Sequence, residues 1–374
     1  MAEMVENATG LVSGQIEIHD AEYRPERSLY QTIGGREGVD VERLLGQVAT
    51  DAAVVAVAPR VYAGGLVSSG ESTRASRLMG IDPTRERAVS RFLDTMVDGF
   101  LPEPGRNELA IGSEMARLLS VGVGDELVVV ASAADGSMGN DLYSVAGIFQ
   151  TGMVQLDASQ AVLPLRDLQE LVMLDPGRIH EIAVTTGDPW VADETAVRLS
   201  EGLGAADRAV EVVSWTELTP VINEFVVYMD VVYFVIFLFV FGIAIFGVAN
   251  TMMMATYERR REIAVMLALG ATPRVVVTTV LYEAAAMGLL SLAVGVVVTL
   301  PLMLWWQTAP PDLSALYGEL TLSGVMLRPV LRVETSIGVW IFGAVALFLT
   351  ALLAALYPAA RAARVSPADT LSEL

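Results

Sequence analysis

The 374 residues include no cysteine and no lysine, and only two histidines, His19 and His180. Each absence removes a class of chemistry. Without cysteine there are no disulfides, thiol nucleophiles or thiolate metal sites. Without lysine there is no Schiff base. Nor can there be a Walker A loop, whose lysine must reach the phosphates of a bound nucleotide. Two histidines exclude a multi-histidine metal centre. All 24 basic residues are arginine, against 44 acidic ones, for a net charge of −20.

That charge is unevenly placed. From Met1 to Asp230 there are 16 arginines and 36 acidic residues, and from Val231 to Leu374 eight of each. The length suits about two domains, and the charge divides them: an acidic domain over residues 1–224 and a nearly charge-free one over 225–374. The acidic surface argues against nucleic acid as a partner, since phosphates need cations.

The second part holds three apolar stretches, Val231–Tyr257, Ala284–Pro311 and Thr335–Ala360, without a charge in any of them. A helix rises 1.5 Å per residue, so about 20 residues cross a hydrocarbon core of about 30 Å. Transmembrane helices are expected at about 225–257, 275–306 and 335–360. Arginine placement orients them. Arg259, Arg260, Arg261 and Arg274 follow the first stretch, and Arg361 and Arg364 end the third. The intervening loop carries Arg328 and Arg332 against Asp312, Glu319 and Glu334. The first loop and the C-terminus are therefore expected in the cytoplasm and the acidic domain outside. An exported domain needs a signal peptide or a preceding span, and Met1–Gly10 has neither an apolar nor a basic segment. A fourth helix ahead of Met1 is expected, with both ends of the complete topology inside.

In the acidic domain, short β-rich runs alternate with helical ones, which predicts an α+β fold. Strands are read at Gln15–His19, Glu126–Ala131, Tyr143–Gln150 and Ile179–Thr186, and Ala53–Val67 as two β-rich pieces around Pro59. Helices are read at Val41–Ala52, Leu165–Met173 and Val191–Leu203, and Glu108–Leu119 as a strand entering a helix. No catalytic or metal constellation emerges. His180 and Glu181 are neighbours on a strand and face opposite sides. Gly112–Glu114 lacks the G-x-S-x-G of a nucleophile elbow. Asp94, Asp98 and Glu103 lack calcium-loop spacing and read as a solvated face.

The loop after the first stretch says more. Glu258–Leu269 is expected to continue the helix out of the membrane, a short elbow helix at about 258–270. Arg259–Arg261 would meet lipid headgroups, and Ile263, Met266, Leu267 and Ala268 would make an apolar patch. Gly270 suits the left-handed stop of a helix. Thr272 and Pro273 suit the cap and first position of the next. Such a helix either anchors the loop at the interface or docks on a cytoplasmic partner.

These residues resemble the signature of MacB/FtsX-like ABC transporter permeases. Arg259, Glu262, Ile263, Ala268, Gly270 and Ala271 fall on R-x-x-E-I-x-x-x-x-A-x-G-A, and Glu283 on the following L-x-E-A. Pro358, Ala359, Ala362, Ala363, Pro367 and Leu371 are similar to the family's C-terminal pattern. Gly80–Pro83, the turn Gly124–Asp125 and Val145–Asp157 resemble its periplasmic core, and Val5–His19 the segment after the first helix of lipoprotein-releasing permeases. The resemblance implies a multi-pass inner-membrane permease that is not itself an enzyme. It implies a separate cytoplasmic ATPase dimer, which would hold ATP and Mg²⁺ while this chain binds no cofactor directly. A second permease copy or paralogue, membrane lipids and a periplasmic lipoprotein chaperone or adaptor would be its other partners. It further implies that Arg259, Arg260, Arg261, Glu262, Ile263, Met266, Leu267, Gly270, Ala271, Thr272 and Pro273 couple to the ATPase, with Glu283 an interfacial contact to the elbow. Lipoprotein release is the favoured role, with peptide or drug efflux and regulation of cell-wall hydrolases as alternatives. The uncharged first span argues against a polar tunnel. Its Phe234, Phe237, Phe239, Phe241 and Phe246 would suit lipid contact or an apolar cavity for acyl chains.

Overall fold

Alternating apolar residues build the outer unit of this computed structural model, which describes residues 5, 9–10, 14–24, 26–35, 40–204, 210–311, 320–322, 325–327 and 337–372. The chain divides into Met1–Val226 with Thr321–Leu327, and Val227–Leu320 with Arg328–Leu374. The charged residues of the loop between the second and third stretches, Asp312 to Glu334, lie outside the described residues.

The main strands of the first unit are β1 (Ile16–Asp20), β2 (Val54–Ser68), β3 (Thr73–Ile81), β4 (Met96–Gly99), β5 (Glu108–Gly112), β6 (Glu126–Ser132), β7 (Met138–Phe149), β8 (Gln160–Pro164), β9 (Glu181–Thr186) and β10 (Val210–Ser214). Its main helices are α1 (Val41–Val48), α2 (Pro83–Glu86), α3 (Ser113–Leu119), α4 (Val154–Ser159), α5 (Leu165–Leu171) and α6 (Ala192–Gly204). In β6, Leu127, Val129 and Ala131 point inward and Glu126, Val128 and Ser132 outward, the period of two that a half-buried strand requires. Asp40 starts α1 by accepting the Glu42 and Arg43 amides at 3.0 and 3.4 Å, and Leu44, Leu45 and Val48 are buried.

The pairings β2–β3, β3–β8, β8–β5, β5–β7, β7–β6 and β6–β2 return to their starting strand, so these six close a barrel. Closure removes free strand edges. A second layer, β10–β1–β9, extends from the other half of β2. This explains the length of β2. Residues Val54–Arg60 pair with β9, and Gly65–Ser68 pair with β6. The sequence predicts two pieces around Pro59, and in the structure the stretch is one continuous strand. β3 pairing begins only at Arg60, so no neighbour on that edge asks Pro59 for the N–H it lacks.

Three helices have membrane-crossing length and hydropathy, and apart from the first residues of the first span they lie in the second unit: the first span Pro220–Glu258, the second span Pro273–Thr308 and the third span Ile337–Ala362. The elbow helix runs Arg260–Ala268 and a terminal helix Pro367–Ser372. Expected as a direct continuation of the first span, the elbow is instead a separate helix. Arg259 breaks the run with φ −96° and ψ 16°.

Candidate coupling site at the end of the helical unit

The elbow helix stops as Gly270 requires. Its φ is +93°, a conformation a Cβ disfavours. The Ala271 amide donates to the Met266 carbonyl at 3.0 Å and the Gly270 amide to the Leu267 carbonyl at 3.1 Å, the pair of bonds that defines a Schellman cap. Thr272 occupies the next N-cap position with extended φ and ψ, though its side chain makes no capping bond, and Pro273 opens the second span. The two helices thus meet through a turn of fixed geometry.

One side of the elbow is covered. Ile263 is buried with Met252, Val276, Val280, Ala284, Ala355, Ala359 and Ala362, and Leu267 packs against that cluster. The cluster draws on all three spans, so Ile263 and Leu267 serve the unit's own packing. The sequence reading grouped them with Met266 as one outward patch. The structure separates them: Val265 is 44%, Met266 38% and Leu269 84% exposed. Leu269, which the sequence reading passed over as part of the helix end, is the most exposed of the three. Its place just before the glycine stop was the signal.

Arg259 organises the polar side. Its Nη1 donates to Glu283 Oε1 at 2.6 Å and its Nε to Glu262 Oε2 at 3.0 Å. A planar guanidinium can serve two carboxylates at once. Arg260 is half-buried and Arg261 exposed. At the neighbouring helix end, Arg361 lies 5.9 Å from the Tyr257 ring centre and donates to Tyr357 Oη at 3.1 Å.

Toward the middle of the spans the packing opens into a cavity of about 710 Å³. Ala244, Gly247, Gly288, Gly295 and Gly343 are among its lining residues. The hydroxyls of Thr251 and Thr350 in its wall are turned onto their own helices, bonding Gly247 and Ala346 carbonyls at 2.9 and 2.7 Å. The rest of the wall is mostly apolar, with Ser291, Thr299 and Trp340 as its other polar side chains, and no lining residue is charged. None of the first-span phenylalanines lines it, and Phe234, Phe237, Phe239 and Phe246 are exposed, as lipid-facing side chains would be.

In the first unit His180, Glu181 and Asp157 serve structure. His180 Nδ1 accepts the Tyr62 amide at 3.0 Å, and Nε2 lies 3.2 Å from the Leu29 carbonyl. The imidazole thus satisfies a backbone group in the stretch of β2 between its β9 and β6 pairings. Burial lowers its pKa to about 4, so it stays neutral. Neighbouring Glu181 bonds Arg60 and Tyr62 at 3.0 and 2.8 Å. Asp157, from the stretch resembling the periplasmic core, accepts the Thr151 amide and hydroxyl at 3.0 and 2.7 Å and closes that loop.

Comparison with known proteins follows the same division. Residues 3–201 match the family model of the MacB-like periplasmic core domain, and residues 234–367 that of the FtsX-like permease C-terminal domain. The lipoprotein-releasing system transmembrane protein LolC of Xylella fastidiosa is 24% identical over 344 residues, 89% of this chain and 81% of that protein. The corresponding LolE of Haemophilus influenzae is 25% identical over 327 residues, 84% of this chain and 77% of that protein. The periplasmic region of MacB from Actinobacillus actinomycetemcomitans aligns over 59% of this chain and 98% of that one, with 13% identity and a TM-score of 0.39.

Proposed function

We propose, for a chain that belongs to the permease family built from a MacB-like periplasmic core and an FtsX-like C-terminal domain, that it passes ATP-driven motion to its outer domain and so releases lipoproteins from a membrane. Its place among ABC transporter permeases, membrane proteins with a large extracytoplasmic domain, is the premise. The names of the LolC and LolE relatives support the lipoprotein reading. So does a mostly apolar cavity with no charged residue in its lining, which suits acyl chains better than a polar solute. The membrane is then the inner one. ATP and Mg²⁺ would sit on the ATPase and not on these 374 residues, which have no lysine for a Walker A loop. A second permease, the same or a paralogue, completes the pair, and a periplasmic lipoprotein carrier would take the product.

The observation that carries the transmission step is the uncovered ridge of Val265, Met266 and Leu269 on a helix whose other side is locked to the spans. A ridge of this kind fits a groove on the ATPase. Burying one such side chain is worth about 1.5–3 kcal/mol, and about 1.4 kcal/mol is a factor of ten in affinity. Leu269→Asp and Met266→Asp should each weaken co-purification with the ATPase tenfold or more and abolish release of a lipoprotein from proteoliposomes. Full binding and release by both variants would reduce the elbow to a membrane anchor.

A further inference from the structure

We propose that Arg259 and Glu283 form a positioning latch, through which a tilt of the elbow helix is imposed on the second span rather than dissipated in the bundle. This rests on the transmission reading above and names the contact that would carry it.

Three observations converge. The first is placement. Arg259 stands in the break between the first span and the elbow, and its guanidinium reaches the elbow at Glu262 and the second span at Glu283. One side chain therefore joins three elements. The second is the nature of the other contacts there. Ile263, Val276, Val280 and Ala355 form an apolar cluster there, and Thr256 and Thr279 line the same spot. Apolar burial is non-directional, and a cluster that draws on all three spans does not single out the one that follows the elbow. An ion pair with a 2.6 Å hydrogen bond has a direction. The third is the cavity beyond the cluster, between the same spans. Close packing transmits strain between helices. Where the packing opens, a second span pulled at its inner end meets less resistance from its neighbours.

Exposure decides what the latch does. The Arg259 and Glu283 side chains are 52% and 41% exposed, and pairs that exposed add little to stability. The apolar cluster holds the unit together. Loss of the latch should therefore spare folding and assembly and strike transmission.

The test uses the complete permease–ATPase complex in lipid nanodiscs, with hydrogen exchange of outer-domain peptides measured with and without ATP and vanadate. Wild type should show a nucleotide-dependent change. Glu283→Gln should co-purify with the ATPase within twofold of wild type, yet lose at least four-fifths of that change. Arg259→Glu should lose it as well. The double variant Arg259→Glu/Glu283→Arg, which rebuilds the pair in reverse, should regain at least half. Arg274→Gln removes a nearby arginine without touching the pair and should keep the change. A full response in Glu283→Gln, or failure of the double variant to recover, would overturn the latch while leaving transmission intact. A wild-type outer domain indifferent to nucleotide would overturn the transmission reading and the latch together.

Discussion

Arg60 is fully buried, with Glu86 on one side and Glu181 on another. Its Nη2 and Nε meet Glu86 at 2.6 and 3.1 Å, and its Nη1 meets Glu181 at 3.0 Å. It sits where β2 passes from pairing with β9 to pairing with β3, so the cluster ties the β9 layer to the barrel side. Removing one member of such a cluster strands the others, at a cost of about 3–5 kcal/mol. A domain's whole stability is about 5–15 kcal/mol. Arg60→Met should accordingly shift the urea midpoint of the outer domain sharply downward, measured by proteolytic susceptibility of the purified chain. Nothing in residue spacing announced this cluster, because its members stand 26 and 121 positions from Arg60.

A second residue-scale effect is set by pH. Burial, and then the charge of Glu181, raise the Glu17 pKa to about 7, while burial lowers that of His180 to about 4. Glu17 therefore contributes stability at low pH that is lost as pH rises toward 7. His180 contributes stability at neutral pH that is lost as pH falls below about 6.5 toward 4. Between about pH 4.5 and 6.5 the two slopes oppose each other. Glu17→Gln leaves only the histidine slope. The variant should lose stability on acidification through that window at up to about 1.4 kcal/mol per pH unit, where wild type changes little. An equally flat profile in the variant would show that His180 is not held neutral.

At the scale of elements, the helices and strands with regular periods were legible, and the exceptions depend on partners elsewhere in the chain. The sheet joins β3 and β8 side by side in parallel, a long-range pairing for which neither run carries a signal of its own. The helix break at Arg259 was hidden because its neighbours all favour helix, and it falls at the residue that pairs with Glu283 of another element. Two glycines separate propensity from packing. In α1, a Cβ on Gly46 would meet nothing within 4 Å. Gly46→Ala should stabilise by about 0.5–1 kcal/mol, through helix propensity alone. At the joint of β5 and α3, a Cβ on Gly112 would lie 2.2 Å from the Asp157 carbonyl oxygen and 2.4 Å from its Cα. Those are backbone atoms of α4, so Gly112→Ala must displace that helix, at about 1–3 kcal/mol. Both follow from denaturation midpoints, and equal shifts would refute the distinction.

For the whole molecule, charge and hydropathy carried most of the information. The −20 charge confined to the first 230 residues and the three uncharged runs marked out an acidic outer part and a membrane part before any fold was known. The candidate coupling site was half legible. Gly270, Thr272 and Pro273 announced a helix stop and start, but which side of the elbow is covered depends on the second and third spans, and local periodicity cannot report it. Orientation is the property on which every functional step depends. If the arginines at 259–261 and 361–364 face the cytoplasm, the turn at Ser137 between β6 and β7 is outside. The chain has no cysteine, so single cysteines report without background. In intact spheroplasts, Ser137→Cys should react with a membrane-impermeant maleimide, and Ala368→Cys, exposed on the terminal helix, should react only after permeabilisation. The opposite pattern would place the elbow ridge outside. Val265, Met266 and Leu269 would then have no ATPase to meet, and the coupling site would lose its meaning along with the orientation.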